Sequence, residues 1–155
     1  YFAAAVGEVN VVTKMKAEHA IIGGEGNGGV IFPESHYGRD ALVGIGLFLT
    51  HLASKNKKVS ALRAEYPAYI MSKNKIELSA DLNVDLILAT VAEQFKDERV
   101  NTIDGVKIDF ANRWVHLRKS NTEPIIRIYS EAPTEEEANG LAQQIMQVIE
   151  AIASK

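Results

Sequence analysis

Cysteine is absent from the 155 residues, which excludes a disulfide framework and a thiolate metal site and fits a reducing compartment. A basic excess is missing as well: 17 Lys and Arg face 20 Asp and Glu, for a formal charge of -3. A nucleic-acid surface usually needs a basic stripe to displace backbone counterions, so that class of partner is disfavoured, and any bound anion has to be held by local geometry. No apolar run approaches the roughly 20 residues of a membrane span. The longest, residues 41–49, is interrupted by Gly44 and Gly46. There is no Walker lysine loop and no Gly-x-Ser-x-Gly elbow, which leaves nucleophilic catalysis without an evident carrier. The four histidines, His19, His36, His51 and His116, lack ligand-like spacing and read as structural. Residues 1–7 lack the basic start of a signal peptide and read as the interior of a longer polypeptide.

What is present is a globular composition. A hydrophobic content of 46% in a chain of this length suffices for one moderate core or two small ones. Residues 7–16 mix β-branched and charged side chains, so helix and strand both fit. Residues 20–22 read as a short buried strand, a glycine-rich loop follows at 23–29, and Val30-Ile31-Phe32 resumes the apolar run until Pro33. From 40 to 55 the pattern is an apolar helix with Asp at its start and Lys at its end, as the macrodipole prefers, and it is expected to be buried on most sides. A short connecting helix with Ser60 as its N-cap then ends at Pro67, where a domain boundary is placed.

Beyond the boundary, strands are expected near 68–72 and 76–78 and a helix from about 84 to 95, with Val84, Ile87, Leu88, Val91 and Phe95 on one face. Alternation in Val106, Ile108 and Phe110, then a turn and residues 114–118, predicts a hairpin. Thr134-Glu135-Glu136-Glu137 is a capping box opening a long amphipathic helix, so its acidic triplet reads as a helix start.

Two segments carry chemistry. The run Arg118-Lys119-Ser120-Asn121-Thr122-Glu123-Pro124, followed by Arg127, sets two guanidiniums around a turn of small polar side chains. Such turns converge backbone N–H groups on an anion, and Arg supplies planar forks that match phosphate oxygens two-to-two. Strand alternation puts Arg118 and Arg127 on one non-core face. A phosphate-ester site and an ordinary hairpin with surface pairs, such as Arg118 to Glu123 or Arg127 to Glu131, both fit these residues. The second segment, Gly24-Glu25-Gly26-Asn27-Gly28-Gly29, formally satisfies G-x-G-x-x-G. That fingerprint needs a helix N-terminus after its third glycine, and a β-like run stands there, so a dinucleotide site is rejected. Glu25 and Asn27 remain as polar side chains on a backbone that a ligand can approach closely, and a flexible glycine hairpin is the alternative.

Taken together, these two segments with Glu131-Ala132 resemble the α-D-phosphohexomutase superfamily. Val6-Gly7 ahead of the glycine loop, Gly38-Arg39-Asp40-Ala41 opening a helix, and Asp104-Gly105-Val106 ahead of the phosphate turn are similar too. The resemblance implies an α+β / α/β chain. Residues 1–66 would be the C-terminal part of an α/β third domain, and 67–155 a fourth domain with a mainly antiparallel four-stranded sheet covered by two helices. It implies that Glu25 and Asn27 read sugar hydroxyls, with Asn27 replacing the more usual Ser. It places Arg118, Ser120, Asn121, Thr122 and Arg127 in the loop that grips the substrate phosphate. Glu8 stands where some members carry a sugar-contacting His.

Such enzymes interconvert hexose 6-phosphates and 1-phosphates by passing a phosphoryl group from an active-site phosphoserine to the sugar, through a bisphosphorylated intermediate that turns around. The family's Ser-His motif and Asp-x-Asp-x-Asp magnesium loop do not occur in this sequence. Mg2+ and a hexose 1,6-bisphosphate are therefore expected only with the N-terminal domains of a longer protein, and the piece alone is expected to be inactive. The resemblance further implies a cytoplasmic enzyme without nucleic-acid or membrane partners, with a homodimer as a candidate state. Asn27 and the Gly28-Gly29 ending are more similar to shorter prokaryotic glucosamine and mannose members than to animal phosphoglucomutase, with glucosamine placed first. A non-catalytic phosphosugar-binding module is the alternative from another class.

Overall fold

A computed structural model of the chain describes residues 1–79, 82–120 and 123–154. It divides into two compact units, Tyr1–Pro67 and Ala68–Lys155.

In the first unit α1 (Glu8–Glu18) precedes a small antiparallel sheet in the order β1 (Gly23–Gly24), β2 (Val30–Phe32) and β3 (His36–Arg39). Residues 7–16 thus settle as helix. It ends at His19, whose φ of 52° is the left-handed turn that closes a helix. Two helices follow, α2 (Ala41–Lys55) and α3 (Val59–Arg63). Asp40 caps α2, its carboxylate accepting from the Val43 N–H at 3.0 Å. Ser60 lies inside α3, and Lys58 holds the N-cap position expected of it.

Two expectations fail here. Residues 20–22 are neither strand nor buried: pairing starts at Gly23, opposite Ile31, and Ile21 is 80% exposed. Helix α2 packs on β2 and α3 but has no buried residue, and Leu42 is also 80% exposed. Apolar periodicity tells that a side chain favours burial, and nothing in this unit covers these.

The second unit is one five-stranded antiparallel sheet with two helices on one face. Its elements are β4 (Ile70–Glu77), α4 (Val84–Gln94), β5 (Arg99–Asn101), β6 (Val106–Asp109), β7 (Trp114–Lys119), β8 (Ile125–Ala132) and α5 (Glu135–Ala153). The order is β4-β8-β7-β6-β5. The sheet has one strand more than expected, because β5 is only three residues long and too short to show alternation. The two pieces near 68–72 and 76–78 are one continuous β4, paired residue for residue with β8 from Ile70↔Ala132 to Glu77↔Ile125.

The expected hairpin β6–β7 forms, with Val106 opposite Leu117 and Ile108 opposite Val115. Period-two alternation sends Val115, Leu117, Ile126 and Ile128 into the core, where they meet Ile87, Leu88 and Val91 of α4 and Leu141, Ile145 and Ile149 of α5. The other face of β7 and β8 carries His116, Arg118, Arg127 and Tyr129. Ser130, fully buried, donates its hydroxyl to the Ala138 carbonyl at 2.7 Å and ties β8 to the first turn of α5. Thr134 Oγ1 accepts from the Glu137 N–H, and Glu135, Glu136 and Glu137 occupy the positive end of α5. Thr134→Ala should lower the stability of the chain by about 1 kcal/mol. Urea unfolding followed by circular dichroism measures it, and an unchanged midpoint would show that this cap carries no weight.

Candidate functional site

Register sets the cationic face of the second unit. In the β7–β8 pair Arg118 stands directly opposite Arg127, and in the β4–β8 pair Arg127 stands directly opposite Lys75. Three cations thus sit side by side across three strands. Directly opposed like charges destabilise a sheet, so this row is a cost to the fold unless an anion joins it. Lys75 was not expected, because β4 read as two fragments and its register against β8 could not be drawn; a continuous strand over 70–77 would have placed it.

Two members of the row are partly neutralised. The Arg118 Nε meets Asp104 Oδ1 at 3.2 Å, which replaces the expected Glu123 partner. Lys75 pairs with Glu77 at 2.8 Å, and this hydrogen bond holds the Lys75 ammonium above, and the Glu77 carboxyl below, their ordinary values. Among the described residues the Arg127 side chain has no ion-pair partner. Glu131, expected beside it, instead accepts from Trp114 Nε1 at 2.9 Å. Lys119 is turned away to Asp85 at 2.7 Å.

The turn that closes β7 on β8 is held by the backbone. Ser120 N–H donates to the Ile125 carbonyl at 3.0 Å, and Ile125 N–H to the Glu123 carbonyl at 2.8 Å. The Ser120 N–H is therefore committed to the turn and is not one of the converging donors expected for an anion. Asn121 and Thr122 lie outside the described residues.

The first unit contributes the loop between β1 and β2. Glu25 N–H donates to the Gly29 carbonyl and Gly28 N–H to the Glu25 carbonyl, both at 3.1 Å, with Gly28 at a φ of 92° that side-chain-bearing residues rarely adopt. As expected for a non-dinucleotide loop, β2 follows the third glycine. Glu25 and Asn27 come together, Asn27 Nδ2 lying 3.4 Å from Glu25 Oε2. The amide oxygen of Asn27 accepts from Gly29 N–H at 3.0 Å, and Glu25 Oε1 accepts from Gly7 N–H at 3.1 Å. Beside them a cleft of about 630 Å³ is lined by Glu8, Asn27, Gly28, Gly29, Arg39 and Asp40, among others.

Glu8 takes two bonds from one residue: Arg39 N–H at 3.0 Å and Arg39 Nε at 2.9 Å. The backbone bond first, then the guanidinium charge, hold its carboxyl below the usual 4.5. Asp40 is likewise held below 3.8, by the Val43 N–H first and then by His36. The His36 tautomer follows from its partners. Nδ1 accepts from Gly38 N–H at 3.0 Å, so Nε2 carries the proton that Asp40 Oδ2 receives, also at 3.0 Å. Among the described residues no three His, Asp or Glu side chains gather into a metal-ligating group. None of its helices is long and apolar enough to cross a membrane.

Comparison with known proteins gives this geometry a family. Residues 1–69 match the family model described as phosphoglucomutase/phosphomannomutase, alpha/beta/alpha domain III, and residues 55–148 match that of the phosphoglucomutase/phosphomannomutase C-terminal domain. The chain belongs to the phosphoglucomutase/phosphomannomutase family. It is 38% identical over 147 residues to a phosphoglucosamine/phosphogalactosamine mutase of Sulfurisphaera tokodaii, covering 94% of this chain and 32% of that protein. It is 42% identical over 135 residues to a phosphoglucomutase/phosphomannomutase of Thermococcus kodakarensis, covering 86% of this chain and 29% of that one. The chain therefore spans about a third of the length of these curated relatives. A crystal structure of a phosphoglucomutase/phosphomannomutase family protein from Burkholderia thailandensis superposes with a TM-score of 0.72 at 24% identity, over 94% of this chain and 31% of that one, which establishes the shared fold.

Two outcomes are expected from the electrostatics. Arg127→Met, by relieving the cross-strand repulsion, should stabilise the phosphate-free chain at low ionic strength by roughly 0.2–1 kcal/mol. It should also abolish any rise in melting temperature on adding inorganic phosphate. Denaturant and thermal melts with and without phosphate measure both, and a destabilised variant that keeps the phosphate response would contradict them. The second concerns acid. Because Glu8 and Asp40 are held below their ordinary values, the stability they lend is complete above 4.5 and 3.8 and is lost as pH falls through the lower folded values. Amide exchange at Arg39 and Val43 should accelerate first on acidification, and uniform loss across the first unit would argue otherwise.

Proposed function

We propose that this chain is the substrate-binding part of a phosphohexomutase that interconverts hexose or hexosamine 6-phosphate and 1-phosphate. The observation that carries this reading is the row Lys75, Arg127 and Arg118, three cations in register on the solvent face of a sheet. A dianionic phosphate offsets their repulsion, and the guanidinium forks give it a fixed orientation. Arg118 and Arg127 bind the phosphate that is not reacting, with Ser120, Asn121 and Thr122 as its further ligands. Glu25 and Asn27 read sugar hydroxyls.

A reaction in which the sugar presents first one phosphate and then the other needs such a division of labour. The clamp accepts whichever phosphate is remote, and its binding energy places the reacting end. Acceptors on a glycine loop meet the hydroxyls of either ring orientation. The relatives named for glucosamine phosphate favour a hexosamine substrate, in agreement with Asn27 and the Gly28-Gly29 ending.

In this reading the phosphoserine and the magnesium site belong to the rest of a longer polypeptide, magnesium supplying charge stabilisation at the transferring phosphoryl group when bound. A hexose 1,6-bisphosphate is the intermediate, the cytoplasm the site of action, and a homodimer a candidate assembly state.

The chain by itself should bind glucosamine 6-phosphate and inorganic phosphate, followed by isothermal titration, and should not turn over glucosamine 1-phosphate or glucose 1-phosphate. Arg127→Ala should weaken binding by about 1.5–3 kcal/mol, the loss of a charged hydrogen bond. Robust turnover by this chain would refute the assignment of catalysis to the rest of the polypeptide. Unchanged affinity in the variant would remove Arg127 from the clamp.

A further inference from the structure

Glu8 has no function in the pair of loops described above, yet its carboxylate accepts two bonds beside them. It takes the backbone N–H and the Nε of Arg39 together, joining the start of α1 to the end of β3 across 31 residues of sequence. Each end of that bridge continues into the glycine loop. Gly7, next to Glu8, donates its N–H to Glu25 Oε1 at 3.1 Å. The Arg39 side chain lies along the α-carbon of Gly29, where an added Cβ would stand 2.8 Å from Arg39 Cδ. Gly29 in turn donates to Asn27 Oδ1, and Asn27 Nδ2 faces Glu25 Oε2. The restraints form a closed ring: Gly7, Glu8, Arg39, Gly29, Asn27, Glu25 and back to Gly7.

We propose that Glu8 and Arg39 are positioning residues for the 25–29 loop, their bridge fixing the two glycines to which Glu25 and Asn27 are tied and so aiming Glu25 Oε2 at a sugar hydroxyl. This rests on the sugar-reading role proposed for Glu25 and Asn27. The side chains of Glu8 and Arg39 are 34% and 50% exposed, and an isolated pair that open would contribute little to stability. Its consequence is directional instead. With Oε1 occupied by Gly7 N–H and Oε2 met at 3.4 Å by Asn27 Nδ2, the carboxylate of Glu25 has the remaining lone pair of Oε2 to present, and the plane keeps its orientation while Gly7 stays in place.

The test uses the full-length polypeptide that carries this sequence, assayed as a mutase with glucosamine 1-phosphate and glucose 1-phosphate. Glu8→Gln should raise KM about tenfold, as loss of an aligned charged acceptor does. The inhibition constant of inorganic phosphate should stay unchanged, because the phosphate clamp lies in the other unit. In a Glu25→Gln background the same change should cost nothing further, since both act through one carboxylate. If Glu8→Gln does not fold, Arg39→Lys, which keeps the cation and the backbone N–H but removes Nε, should give the same KM rise. Wild-type KM in both variants, or additive losses with Glu25→Gln, would overturn the inference. Failure of the functional reading is distinguishable: Arg127→Ala would then leave phosphate inhibition at its wild-type value, whereas a weakened Arg127→Ala beside an unaffected Glu8→Gln sinks the positioning role alone.

Discussion

The pairing of β8 with both of its neighbours is the constraint on which the rest depends. From Ile126 to Glu131 β8 is paired on both sides, so Arg127, Tyr129 and Glu131 on its outer face each have a partner directly across on β4 and on β7. Its inner face is fixed by the core, through Ile126 and Ile128. A slip of one residue would bury Arg127 and expose both isoleucines, at a cost no surface interaction offsets. Hydrophobic burial therefore pins the position of a cation that the sheet itself would rather not have beside Arg118 and Lys75. Burial in one layer thus offsets repulsion in another.

The first unit holds its polar groups by a different device. Its sheet is three short strands, and no hydrophobic register of comparable length fixes the 25–29 loop. Carboxylates do so instead. Glu25 anchors on Gly7, Glu8 on Arg39 and Asp40 on Val43, each through a backbone N–H. For Glu8 and Asp40 these bonds hold the carboxyls below their ordinary values, so both stay acceptors throughout the neutral range. The hexose of a sugar phosphate offers hydroxyl donors, and its phosphate offers oxygens. The first unit carries carboxylate acceptors and the second a row of cations.

Much of this was legible in the sequence wherever a period-two or 3.6-residue pattern ran long enough to count. The alternation of 106–110 and 114–118, the capping box at Thr134 and the apolar stripe of α5 each had many residues in agreement. Residues 20–22 and the helix from 41 misled, because hydrophobicity reports a preference for burial and not what supplies it. The three residues of β5 were too few to show any period. Lys75 was hidden for a further reason, since cross-strand neighbours 52 residues apart in sequence are set by register alone. Glu8 illustrates the same limit: Arg39 is 31 residues away, and no local rule links them.

The alternative of an ordinary hairpin with surface pairs can be weighed against the geometry. A hairpin selected only for stability would place attracting groups across from each other, as Trp114 and Glu131 meet by hydrogen bond two rows along the same face. The expected Arg118–Glu123 and Arg127–Glu131 pairs do not take that form. Arg118 finds its acid on the β6 side, at Asp104, Lys119 finds one on α4, and Glu131 is committed to the indole. Glu131 is thus engaged elsewhere, while the two cross-strand neighbours of Arg127 repel it. Such a local imbalance, surrounded by satisfied pairs, is the observation that supports the proposed anion site over the plain hairpin.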